Sequence, residues 1–190
     1  MRRATSPTAG RAAVEIREAR TPEEQAAAGR VTEEAYAEFA PYYTPKDWAF
    51  YARTLPDTRP RVEQGTLLIA VDESGEVVGT VTLYLEPQPT SGHWRPDDAV
   101  FRFLAVRPDR RGLGIGEALF QECLRRARVA GKRRMALQTT EHMVAARAMY
   151  ERAGFVRDPE GDLVARGFSL IAYALRLQPD DRGSRTGSNL

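Results

Sequence analysis

One stretch constrains this chain more than any other: Arg107-Pro108-Asp109-Arg110-Arg111-Gly112-Leu113-Gly114-Ile115-Gly116-Glu117. It follows an apolar run, Ala99 to Val106, and opens a patterned segment in which Ile115, Leu119, Cys123 and Ala127 recur every four residues. That spacing puts the four side chains on one helical face, so the stretch reads as strand, glycine loop and helix start. Glycines let a backbone approach a ligand closely, and the first N–H groups of a helix have no internal acceptors. Those amides and the helix dipole favour a phosphate or diphosphate.

Two familiar phosphate loops fail here. A P-loop needs Lys and then Ser or Thr after its last glycine, whereas Gly116 is followed by Glu117 and Ala118. The dinucleotide fingerprint needs a glycine three residues after a Gly-x-Gly pair, and those positions hold Glu117 or Leu119. The net charge of +2 is too small to argue for a nucleic-acid partner. Cys123 is the single cysteine, which excludes an intrachain disulfide and a cysteine metal cluster. His93 and His142 lie far apart without flanking ligands, so no metal is expected. No apolar run approaches the roughly 20 residues of a membrane span, and the basic start lacks the apolar segment of a signal peptide. These features point to a cytoplasmic protein with no membrane partner.

Residues 1–12 and 178–190 lack periodicity and read as a disordered lead and tail, leaving one domain over residues 13–177. Val14 to Glu18 suggests a strand. Thr21-Pro22-Glu23-Glu24 is a helix start, with a cap, a proline in the first turn and acids behind it. Thr44-Pro45-Lys46-Asp47 starts a second helix, which Pro56 and Pro60 end. Thr66 to Val71 and Val77 to Leu85 form a hairpin around Asp72-Glu73-Ser74-Gly75. Downstream come a helix over Gly114 to Ala130, a strand over Arg134 to Thr139, a helix over Met143 to Ala153, and strands at Phe155 to Arg157 and Phe168 to Leu177. This order predicts an α/β (α+β) domain with a mixed, mostly antiparallel sheet of six to seven strands and about four helices.

The glycine loop resembles the acyl-CoA signature of the GNAT (Gcn5-related N-acetyltransferase) superfamily, and Ala145-Ala146-Arg147-Ala148-Met149-Tyr150-Glu151-Arg152-Ala153-Gly154-Phe155 resembles that family's tyrosine helix. The resemblance implies an N-acetyltransferase that moves acetyl from the co-substrate acetyl-CoA to a primary amine by direct attack in a ternary complex. It makes Arg111, Gly112, Leu113, Gly114, Ile115 and Gly116 diphosphate contacts and Leu104, Ala105 and Val106 the pantetheine edge. It sets Met143 and Ala146 beside the arm, with Met143 standing where many relatives carry an asparagine. Tyr150 becomes the general acid toward the leaving thiolate, and a backbone N–H at Val106 the oxyanion contact.

Glu86 is the first candidate base, ahead of Asp97, Asp98 and Glu141, and either histidine could also take the proton. Aromatics concentrate at Tyr36, Phe39, Tyr42, Tyr43, Trp48 and Tyr51, where the resemblance implies the acceptor site. The acceptor is a small-molecule amine or a protein amino group, and a homodimer stays open. A non-catalytic acyl-CoA-binding module is the alternative.

Overall fold

The protein is described from a computed structural model covering residues 13–86, 94–165 and 168–178. The chain runs β1 (Val14–Glu18), α1 (Pro22–Tyr36), a 3-10 turn (Ala37–Tyr42), α2 (Pro45–Ala52), α3 (Arg59–Gln64), β2 (Thr66–Asp72), β3 (Val77–Tyr84) and β4 (Asp98–Val106). It continues through α4 (Ile115–Val129), β5 (Arg134–Thr139), α5 (Val144–Arg152), β6 (Val156–Arg157), β7 (Leu163–Ala165) and β8 (Phe168–Arg176). No helix among the described residues is long and apolar enough to cross a membrane.

Local chemistry sets the boundaries. Thr21 accepts from the Glu24 amide while the Glu24 carboxylate reaches back to the Thr21 amide, closing a capping box at the start of α1. The β2–β3 turn closes on Asp72, whose Oδ1 accepts from the amides of Ser74 and Glu76 and from the Ser74 hydroxyl.

Eight strands form one sheet in the order β1-β2-β3-β4-β5-β8-β6, with β7 paired to β8. Among the described residues only β4 and β5 run parallel; the other pairs are antiparallel. The expected fold class holds, but β7 and α3 exceed the expected six to seven strands and four helices. Pro60, expected to break structure, instead occupies the first turn of α3. A proline costs little there, because the N–H it lacks would have no helical acceptor.

Helices α4 and α5 cover one face of the sheet. Ile115, Leu119, Phe120, Cys123, Leu124 and Ala127 of α4 pack there against Leu68, Val81, Phe101 and Leu137. Burial pushes the Cys123 thiol well up, which keeps it protonated and unreactive. Helix α1 covers the opposite face, setting Ala28 against Leu67 and Ile69, and Val31 and Ala35 against Ala105.

The central irregularity lies in β4. Its register with β3 slips between Thr80 and Thr82, and Phe103 adopts φ +56°, rare for a residue with a side chain. This is a β-bulge, and it reverses which side chains face which layer. Before it, Ala99 and Phe101 face α4; beyond it, Leu104 and Val106 do, while Ala105 faces α1. Parallel pairing of β4 with β5 is confined to Asp98, Ala99 and Val100 opposite Arg134, Met135 and Ala136. At that paired end Asp98, fully buried, receives Arg134 on both carboxylate oxygens at 2.7 and 3.0 Å, and Arg134 also reaches Asp158 at 2.9 Å. Beyond Val100 the two strands diverge.

Gly79 of β3 lies beneath α4, and a Cβ there would stand 2.9 Å from Ile115 Cγ2 and 3.0 Å from Leu119 Cδ1. Gly79→Val should therefore lower the unfolding free energy by about 1–3 kcal/mol through overpacking. Denaturant titration reads this, and an unchanged midpoint would refute the close seating of α4.

Candidate active site

The divergence of β4 and β5 opens a cleft of about 580 Å³. One wall is β4 from Phe101 to Val106 with the glycine loop; the other is the end of β5, the β5–α5 connection and α5; Ala35, Tyr36, Glu38 and Phe39 close one side.

The β4 wall presents backbone. The Arg107 amide donates to the Val78 carbonyl at 3.0 Å. By the alternation of an antiparallel ladder, Arg107 and Ala105 turn their backbone groups toward β3, and Val106 and Leu104 turn theirs away. On that side β5 has already diverged. Leu104 and Val106 thus offer an open edge that an extended ligand can pair with. Ala105, expected in the same edge, lines the cleft while its backbone pairs into β3 opposite Thr80.

At the inner end of this edge the chain enters the glycine loop. Gly112 and Gly114 take φ +77° and +79°, a region that favours glycine, and Gly114 is the N-cap of α4 with no side-chain hydrogen bond. The Ala118 amide returns to the Gly114 carbonyl at 3.0 Å, so the amides of Ile115, Gly116 and Glu117 precede the first helical hydrogen bond and face the cleft mouth unpaired by the helix. The α4 dipole lies behind them, and amides so placed suit a phosphate or diphosphate.

The arginines of the loop are already engaged. Arg107 pairs with Glu76 at 2.8 Å and Asp109 at 2.9 Å, and Arg110 with Asp72 at 3.2 Å, tying the loop to the β2–β3 turn. Arg111, expected to contact diphosphate, forms an ion pair with Glu38 at 2.8 Å and donates to the Ala35 carbonyl at 3.0 Å. Its side chain ties the loop to the end of α1.

On the opposite wall Met143 is the N-cap of α5 and supplies no side-chain cap, and Met143, Ala146 and Met149 line the cleft. Tyr150 is 5% exposed and lines the same cleft, and its hydroxyl makes no hydrogen bond among the described residues. Its ring packs 5.7 Å from Phe101, 6.4 Å from Phe120 and 6.0 Å from Phe155, centroid to centroid. Burial raises its pKa strongly, so the phenol stays protonated.

The candidate bases fare differently. Glu86 follows the far end of β3, pairs with Lys132 at 2.9 Å and is 81% exposed, away from the cleft. The reason is topological: β3 and β4 are antiparallel, so the end of β3 lies beside the start of β4, at the closed end of the wedge. Asp98 is consumed by Arg134. His142 does line the cleft, stacked on Tyr42 with centroids 4.0 Å apart and planes 9° apart. His93 lies outside the described residues.

Sequence reasoning missed two cationic groups. Arg102 of β4 lines the cleft, and Arg61 of α3 is buried beside it, its guanidinium 3.8 Å above the Phe103 ring. A charged residue inside an apolar strand was the one available signal for Arg102; for Arg61 there was none once α3 went unread.

Residues 29–155 match the acetyltransferase (GNAT) family model. The chain belongs to the GNAT acetyltransferase family. This GNAT chain is 35% identical over 132 residues to the L-methionine sulfoximine/L-methionine sulfone acetyltransferase of Pseudomonas aeruginosa, a match covering 65% of the chain and 71% of that relative. It is 32% identical over 91 residues to an N-acetyltransferase of Schizosaccharomyces pombe, covering 48% of the chain and 52% of that protein. Its fold is similar to yncA of Salmonella typhimurium, solved with acetyl-CoA (TM-score 0.61, 20% identity, covering 91% of this chain and 99% of that one). It is also similar to the PaiA N-acetyltransferase of Thermoplasma acidophilum in complex with coenzyme A (TM-score 0.64, 15% identity, 84% and 98%).

Gly114→Glu should abolish binding of CoA, measured by calorimetry, because it adds bulk and negative charge at the amide seat. Gly114→Ala carries the strain of the positive φ without that charge and should retain more affinity. Equal affinity in both folded variants would sink the loop assignment.

Proposed function

We propose that this GNAT acetyltransferase moves an acetyl group from acetyl-CoA to the primary amine of a small molecule by direct attack in a ternary complex. The observation that carries the reading is the open backbone edge of Leu104 and Val106, flanked by the free amides of α4 at one end and the Tyr150 phenol in the facing wall. Bound acetyl-CoA supplies an activated acyl group as its thioester. The amides of Ile115, Gly116 and Glu117 hold the diphosphate, Leu104 and Val106 pair with the pantetheine amides, and Met143 and Ala146 give the arm an apolar wall. The Val106 N–H is the donor for the carbonyl oxygen as it gains charge.

Tyr150 holds its proton at working pH and donates it toward the departing thiolate. His142 lines the cleft and serves as the acceptor for the proton of the attacking amine. No observation favours the non-catalytic alternative. The Pseudomonas relative, named for acetylation of L-methionine sulfoximine and L-methionine sulfone, makes those two amines the first acceptors to try.

Thiol release from acetyl-CoA across a panel of amines tests the reading, and tight CoA binding without turnover of any amine would overturn it. Tyr150→Phe should lower kcat by about 10²-fold while leaving CoA affinity unchanged. Undiminished turnover in that variant would remove Tyr150 from the mechanism.

A further inference from the structure

Arg102 lines the α1 side of the cleft and Arg61 lies buried beside it, and among the described residues neither has a carboxylate partner. Arg61 is 2% exposed. It donates to the Thr32 hydroxyl at 3.1 Å and to the carbonyls of Leu55 at 2.5 Å and Thr54 at 3.4 Å, and lies over Phe103. Its partners are all neutral. Burial lowers its pKa, and the nearby charge of Arg102 lowers it further.

Arg102 is more unusual. The loop arginines Arg107, Arg110 and Arg111 each hold a carboxylate. Among the described residues Arg102 has neither an ion-pair partner nor a hydrogen-bond acceptor, although its side chain is partly buried in the cleft wall. Its guanidinium lies 5.2 Å from the Phe103 ring centroid. Cross-strand from it sits Thr82, fully buried, whose hydroxyl also lacks a partner. Tyr36, Tyr51 and Tyr84 lie close enough to both arginines for their titration to feel them; burial raises all three, Tyr36 to about 12, so they stand as neutral phenols.

Two like charges held near one another in a half-buried wall are unfavourable unless an anion joins them. Arg61 has its donors committed and serves as fixed positive background. Arg102 has its fork free. Resting on the acetyl-transfer reading above, we propose that Arg102, backed by Arg61 across Phe103, seats a carboxylate of the acceptor, so that the acceptor is an amino acid.

The separation suits this class. Arg102 is two residues before Leu104 and lines the same cleft, so its fork works close to the open backbone edge. An α-amino acid carries amine and carboxylate on one carbon, which lets the carboxylate anchor at Arg102 while the amine turns to that edge. The same pair of cations repels an acceptor whose only charges are ammonium groups, which selects against polyamines and lysine side chains.

The test compares the wild type with Arg102→Gln and Arg102→Lys. Each receives acetyl-CoA with L-methionine or L-methioninamide, and with L-phenylalanine or L-phenylalaninamide, and thiol release is followed. The wild type is expected to prefer the free carboxylates by about 10- to 10²-fold in kcat/KM, the range of a hydrogen-bonded charge. Arg102→Gln should lose that preference through a KM for the free carboxylates that rises to that of the carboxamides, and Arg102→Lys should restore part of it. No preference in the wild type, or an intact preference in Arg102→Gln, overturns the proposal. If no amine is turned over, the transfer reading falls, and calorimetric titration of the same compounds into CoA-saturated protein decides the carboxylate seat. Carboxylate-selective binding lost in Arg102→Gln upholds it, and its absence overturns it.

Discussion

The bulge at Phe103 organises this molecule. An unbroken β4 would continue its parallel ladder along β5, and the sheet would close over the space that the cleft occupies. A residue with positive φ and one extra position opposite β3 turns the strand out of that ladder while leaving its antiparallel pairing with β3 usable on either side. The same kink exchanges the faces, so that Phe101 supports Tyr150 from below while Arg102 and Ala105 project to the layer of α1. Donor seat, aromatic support and cationic wall all descend from that single backbone irregularity.

The charges follow a division of labour. Near the glycine loop, carboxylates from the β2–β3 turn and from Glu38 neutralise the arginines, which hold the loop in shape and leave the amides to meet an anion. On the α1 face the arginines are left uncompensated. The cleft thus presents oriented dipoles at one end and a full charge at the other. Backbone amides suit a diphosphate whose place is set by loop geometry, whereas a mobile guanidinium suits a small acid.

Much of this was legible in the chain. The glycine spacing, the four-residue repeat of Ile115, Leu119, Cys123 and Ala127, and the Tyr150 helix each fell where local rules put them, because backbone freedom and helical periodicity are short-range properties. The losses came from longer range. Pro60 reads as a stop in isolation, and only the docking of α3 against β2 shows that it opens a helix; with α3 went Arg61. Glu86 looked well placed as the end of a central strand, but strand direction puts that end beside the start of β4. Nothing in the letters of Phe103 announces a left-handed backbone, since a bulge is decided by the pairing of two strands.

The clamp of Arg134 on Asp98 and Asp158 has a consequence of its own. It pins β4 to β5 where they pair, and the bulge keeps them apart beyond it, so the width of the wedge is set by the ion pairs and backbone of the fold itself. Two strand edges facing each other across such a wedge make a sheet that is one strand short, which an extended chain of amides can complete.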